Sequence, residues 1–199
     1  MPNYNVNSNK KKEIIEKYNT TSQFYDHRYK KIQEEKYKTA IGNLQTKHNI
    51  ILDVGCGSGL LFEFMIKESK INQIWYSTYI GIDISLNMLK NFVKKYKYWI
   101  KRLNVNLILA DMENLPIRKN IIDTIYSITS LQNLYNIING IKEIIRVSKH
   151  MANIHFSILK KTLDLEPLIT FLKPNIINLR ITNSKSLEDF IIQGKIIKN

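Results

Sequence analysis

Residues 51–60 read ILDVGCGSGL, an apolar run that ends on Asp53 and then places glycine at positions 55, 57 and 59. Fixing glycine costs more backbone entropy than fixing any other residue. Such density therefore serves a chain that must turn where side chains are resisted, or lie flat against a ligand. The apolar run reads as a buried strand, the glycines as the turn after it, and LLFEFMIKES as the next helix, whose first turn offers free N–H groups. In a parallel sheet that order builds a nucleotide-type site at the carboxyl end of a strand.

The rest of the chain repeats the alternation. STYIGIDI, NVNLILA, IIDTIYSI and ANIHFSIL read as further strands. SLNMLKNFVKKYKYWIKRL, with Ser85 as its cap, and LYNIINGIKEIIRVS read as helices between them. A short helix over residues 164–172 ends near Pro174, and NIINLRIT and DFIIQGKII follow as an antiparallel hairpin. The predicted fold is α/β: a three-layer Rossmann-like sandwich on a mostly parallel seven-stranded sheet with a C-terminal antiparallel hairpin. Residues 1–12 are polar and Asn-rich and read as a flexible basic tail. Residues 13–199 read as one domain, opening with amphipathic helices interrupted around residues 19–22.

The 199 residues suffice for a core without staples, and the single cysteine excludes a disulfide framework and a multi-cysteine zinc site. The four histidines lack metal-ligand spacing, so no metal is expected. No run is long and apolar enough for a membrane span, and MPNYNVNSNKKK lacks the apolar core of a secretory leader, so a cytoplasmic location is expected. The formal charge of +13 fits phosphate-bearing partners, and equally the Lys/Asn/Ile-rich composition of an AT-rich genome.

Three acids sharpen the ligand. A dinucleotide loop of the form G-x-G-x-x-G would need glycine at position 60, where Leu60 stands, and the Gly-Lys-Ser/Thr of a P-loop is missing. Asp53 beside the glycines would repel a pyrophosphate and suits a ligand with a positive charge. Asp83, closing the second strand, is placed to accept hydrogen bonds from a ribose diol. Asp111, closing the third, is placed to meet an adenine amino group, with Met112 beside the ring. Taken alone, Asp83 also reads as part of a helix cap and Asp111 as a turn residue. Together they describe a site for an adenosine carrying no phosphate.

In this order ILDVGCGSGL, YIGIDISLNML, LILADMENLPI and IIDTIYSI resemble the class I S-adenosylmethionine-dependent methyltransferases, over roughly residues 20–160. The resemblance implies S-adenosyl-L-methionine as cofactor and methyl transfer as the reaction. It implies that Asp53, Gly55, Gly57 and Gly59 hold the methionine part, Asp83 the ribose, and Asp111 with Met112 the adenine edge. Ile84 would pack on adenine, and Thr129 would approach the sulfonium side. Phe24-Tyr25-Asp26 resembles a Tyr-Asp element that small members fold over the cofactor, implying a helical lid over about residues 13–45. RVSKHMANIHFSI departs from the family's Pro-Gly-Gly turn before the fifth strand.

The acceptor is narrowed by exclusion. The fourth strand runs into SITSLQN, without the Asn/Asp-Pro-Pro-aromatic turn of enzymes that methylate adenine or glutamine amino groups. Cytosine C5 chemistry needs a cysteine near the acceptor, and Cys56 lies in the cofactor loop. RNA is favoured slightly, because Lys94, Lys95, Lys97, Lys101 and Arg102 crowd one helix, although cations at a helix C-terminus also answer its dipole. A small-molecule acceptor, and a non-catalytic subunit working with a partner protein, stay open. The family's strand order would leave NVNLILA at a sheet edge without charge, where a partner protein or a second copy could add.

Overall fold

The computed structural model describes residues 4–41, 49–72, 76–162 and 164–198. Two helices, α1 (Tyr4–Thr21) and α2 (Tyr25–Ile41), precede β1 (Asn49–Val54). There follow α3 (Leu60–Asn72), β2 (Tyr76–Asp83), α4 (Leu86–Arg102), β3 (Val105–Leu109) and β4 (Ile122–Ile128). The chain closes with α5 (Ile137–Val147), β5 (Ser148–Leu159), α6 (Leu165–Leu172), β6 (Ile176–Thr182) and β7 (Asp189–Ile196). The seven strands lie in the order β3-β2-β1-β4-β5-β7-β6, the first five parallel and β7 antiparallel to both neighbours. This is the sheet expected from the sequence, with β3 at an edge.

Both faces are covered, which is why the inner strands are apolar almost throughout. On one face Ile51, Tyr79 and Tyr126 pack with Tyr37 of α2, Phe62 and Met65 of α3, and Phe92 of α4. On the other, Leu52, Ile125, Ile154 and Ile192 pack with Ile141 and Ile144 of α5 and Leu168 of α6. Ser85 caps α4 as expected, accepting from the Met88 N–H, and Asp164 caps α6 by accepting from the Glu166 N–H. Asp123 is structural: its carboxylate accepts from the Ile50 N–H at 2.9 Å and pairs with Lys149 at 2.7 Å.

Two expectations change. Residues 4–12, expected as a mobile tail, continue α1, while residues 1–3 and 42–45, the last part of the expected lid, lie outside the described residues. The docking is made by ions: Lys10 donates to the Leu134 carbonyl at 2.8 Å, and Lys11 pairs with Asp111 and Glu113 at 2.6 and 2.9 Å. Such contacts leave no apolar period to read. The segment between α5 and β5 also differs. The strand starts at Ser148, before the expected residue 152, and Met151 takes the left-handed turn conformation at φ 65°.

One buried ion pair ties the N-terminal helices to the far side of the sheet. Lys36 of α2 and Asp189 of β7 meet at 2.8 Å with side chains 3% and 0% exposed. Removing one member strands a buried charge, so Lys36→Ala is expected to cost about 3–5 kcal/mol in urea unfolding. A loss below about 1 kcal/mol would show that water reaches the pair.

Candidate functional site

The turn after β1 is built by hydrogen bonds to the end of β2. The Ile82 carbonyl accepts from the N–H groups of both Gly55 and Cys56, at 2.8 and 2.9 Å. The Gly57 N–H donates to one Asp83 carboxylate oxygen at 2.8 Å, and the Ser85 N–H to the other at 2.8 Å. Gly55, Gly57 and Gly59 all have positive φ, at 79°, 54° and 86°. At Gly55 a side chain would also strike Ser130, 2.5 Å from its Cβ, whereas a Cβ on Gly57 would meet no protein atom within 4 Å. Open space beside a flattened backbone is room for a ligand.

That space belongs to a cleft beyond the carboxyl ends of β1, β2 and β4, the place where ligands bind in open α/β sheets. Gly55, Gly57, Asp83, Ile84, Asp111, Met112 and Thr129, all expected from the sequence, line it together with Lys11, Tyr18 and Glu113. Burial raises the Asp83 carboxyl above its usual range, opposed by the N–H groups of Ser85, Gly57 and Ile84. Asp111 accepts from the Glu113 N–H at 2.9 Å with one oxygen, and Lys11 holds the other. Asp83 and Asp111 are therefore cap or turn residues and cavity walls at once.

Asp53 stands apart from this cavity. It lines a smaller adjoining one with Tyr25, Gln33, Tyr37, Gly55 and Gly57. Tyr79 donates its hydroxyl to the Asp53 carboxylate. Burial pushes the Asp53 carboxyl up to about 7; the Tyr79 bond opposes this and the nearby Asp83 charge adds to it. Gln33, 4% exposed, has no hydrogen-bond partner on its side-chain oxygen. A buried acid and an orphaned acceptor in one small chamber suit a cationic group. Gly59 lines neither cavity; its missing side chain leaves room for the Phe92 ring, 2.8 Å from where a Cβ would stand.

Thr129, the residue after β4, lies in the left-handed region, φ 56°, a costly conformation for a β-branched residue. Four bonds hold it. Its N–H donates to the Ser157 carbonyl at 2.9 Å, and its hydroxyl lies 3.0 Å from Lys36 Nζ, 2.9 Å from the Asp189 carboxylate and 3.2 Å from Ser157 Oγ. Tyr25 lies against Tyr29 at 4.8 Å between ring centres and borders both cavities. Its neighbour Asp26 accepts from Ser58 of the glycine loop and pairs with Lys95. Lys11, Tyr18, Gln33 and Lys36 give no signal in the sequence, because they reach the site from helices whose register the sequence leaves open. Burial raises the Cys56 thiol well above its usual range, leaving it a small loop filler. Burial lowers His155 to about 4, and its ring stacks on Tyr126.

Comparison with known proteins identifies the family. Residues 52–155 match the methyltransferase domain family. Over 151 residues the chain is 33% identical to the malonyl-[acyl-carrier protein] O-methyltransferase of Buchnera aphidicola, covering 74% of this chain and 54% of that one. Over 89 residues it is 35% identical to the 18S rRNA (guanine(1575)-N(7))-methyltransferase of Saccharomyces cerevisiae, covering 44% of this chain and 28% of that one. The chain thus spans between 28% and 54% of the length of these curated relatives. In fold it is similar to the magnesium protoporphyrin IX methyltransferase of Synechocystis PCC 6803 solved with S-adenosylmethionine bound. The TM-score is 0.69 at 16% identity, over 94% of this chain and 97% of that one.

The raised Asp53 carboxyl gives stability a definite sign with pH. The folded state holds this proton more tightly than the unfolded chain. The contribution is therefore present below the ordinary 3.8 and is lost as pH rises through about 7. Urea midpoints are expected to fall between pH 5 and pH 8, and Asp53→Asn to flatten that slope; an equal slope in the variant would place the proton elsewhere.

Proposed function

The chain belongs to the class I S-adenosylmethionine-dependent methyltransferases, and from that premise we propose that it methylates RNA, with the two joined cavities as its cofactor site. The carboxylates of Asp83 and Asp111 face a cavity with apolar walls at Ile82, Ile84 and Met112, in which Lys11 is the one lysine and no arginine appears among the lining residues. A pyrophosphate would meet repulsion there and an adenosine would not. Asp83 keeps lone pairs free for a ribose diol, and Ile84 and Met112 offer flat apolar contact to adenine. Asp111, once Lys11 gives way, accepts from the adenine amino group. The smaller chamber, with Asp53, Gln33 and the backbone of Gly55 and Gly57, takes the charged amino-acid end, and Gly59 supports that loop from behind. Thr129, just past the end of β4, lines the larger chamber.

When bound, S-adenosylmethionine supplies a methyl group activated by sulfonium. The protein's part is to orient the acceptor in line with it and keep water out, and positioning of that kind removes much of the barrier. Tyr18 and Tyr25 cover the cavity from the N-terminal helices. RNA is favoured over a small molecule by charge. The chain carries +13 overall, and α4, whose first turn borders the cavity through Met88, contains lysines and arginine without one Asp or Glu. An acyl-carrier or other small acceptor is the second reading, favoured by the longer of the two alignments. The uncharged edge strand β3, with Leu109 53% exposed, suits addition of a partner protein or a second copy. Among the described residues no helix is long and apolar enough to cross a membrane.

Asp83→Ala is expected to weaken S-adenosylhomocysteine binding about 100-fold in calorimetry, since a buried carboxylate loses both ribose hydrogen bonds. Unchanged affinity would refute the ribose assignment. Methyl-tritiated cofactor incubated with the chain and total RNA is expected to give label that ribonuclease releases. Label only in the small-molecule fraction would move the acceptor to the second reading.

A further inference from the structure

The exposed face of α4 is charged beyond what its own helix can use. Lys101 and Arg102 sit in the last turn, where cations answer the dipole. Lys90, Lys94 and Lys97 do not; they lie further back along the same helix and are exposed. Lys90 and Lys94, and again Lys97 and Lys101, stand four apart, the spacing at which like charges repel on one helix face. The helix has no acid to relieve them, and among the described residues only Lys95 of its lysines forms an ion pair, with Asp26 of α2. A surface strained in this way is relieved by a partner carrying regularly spaced negative charge.

Aromatic and apolar groups interrupt the cations. Tyr98 is 56% exposed, and the Arg102 guanidinium lies over its ring at 4.4 Å from the centroid. Phe24, in the turn between α1 and α2, is 71% exposed. That turn is fastened to α4: Asn91 donates to the Ser22 carbonyl at 3.0 Å, beside the Lys95–Asp26 pair. At the other end, Met88 in the first turn lines the cavity, next to Ile84 just before the cap. The 17 residues of α4, bent at Tyr96, make a strip of roughly 25 Å leading away from the cavity. That is about the span of a few extended nucleotides.

We propose that this face of α4, with Phe24 at its side, is a track for single-stranded RNA leading to the cofactor cavity. The lysines meet successive phosphates, and Tyr98 and Phe24 offer stacking surfaces to bases, a combination that binds single strands with little sequence preference. A duplex would present its phosphates but hide the base faces. The proposal rests on RNA being the acceptor class.

The test uses the full chain and a fluorescent 12-nucleotide oligouridine, titrated over a range of salt. The triple variant Lys94→Ala/Lys97→Ala/Lys101→Ala is expected to weaken binding at least tenfold at 0.1 M salt and to lower the log–log salt slope by about 2. Tyr98→Ala is expected to weaken binding about fivefold with the slope unchanged. Both should keep the parent's affinity for S-adenosylhomocysteine, which reports that they fold. Parent-like oligouridine binding in the triple variant would overturn the track. So would equally tight binding of duplex RNA or polyglutamate by the parent. The acceptor reading is separated by label transfer. Weakened binding in the variants supports the track even if RNA takes no label, whereas full label transfer by the variants overturns the track and leaves RNA as acceptor.

Discussion

The site depends on a crosspiece between two strand ends. The Ile82 carbonyl gathers the N–H groups of Gly55 and Cys56, and the Asp83 carboxylate takes that of Gly57. These bonds bend the chain after β1 toward β2 and fix the glycine loop before α3 begins. They also aim Asp83 at the cavity, because its two oxygens are held by Gly57 and Ser85. One acid thus closes a strand, supports the glycine loop and steadies the entry to α4. Its remaining lone pairs are what a ribose would use.

A second set of buried polar groups joins the covering helices to the sheet. Lys36 passes from α2 to Asp189 on β7, and both hold the Thr129 hydroxyl. A threonine with φ of 56° would relax if those bonds were lost. The covering helices and the end of β4 are therefore mechanically one unit on that side. At the Asp111 end the link is lighter: Lys11 is about a third exposed and reaches Asp111 and Glu113 from α1. The two ends of the covering helices differ in how easily they let go, tightest near Thr129 and loosest near Asp111, the end proposed to take adenine.

How much of this was legible follows from which forces leave a pattern. Every strand could be read, because burial on both faces makes the inner strands continuously apolar. The glycine loop, Asp83, Asp111 and the Ser85 cap could be read because turns and caps demand residue types at fixed offsets. The N-terminal nine residues of α1 could not, because lysine-to-carboxylate contacts impose no apolar period. Gln33 and Lys36 were hidden for a related reason: a buried polar side chain on a helix looks like any solvated one until its partner is known. Asp53 was legible as an acid beside the glycine loop, but not as one set off in a small chamber with Tyr25.

The most direct test of the account is hydrogen-exchange mass spectrometry of the full chain with and without saturating S-adenosylhomocysteine. Added protection is expected in residues 55–59, 83–88 and 110–113 and in the helices above them, with β6 and β7 unchanged. Protection confined to other segments, or none at saturation, would contradict the placement of the cofactor in the paired cavities.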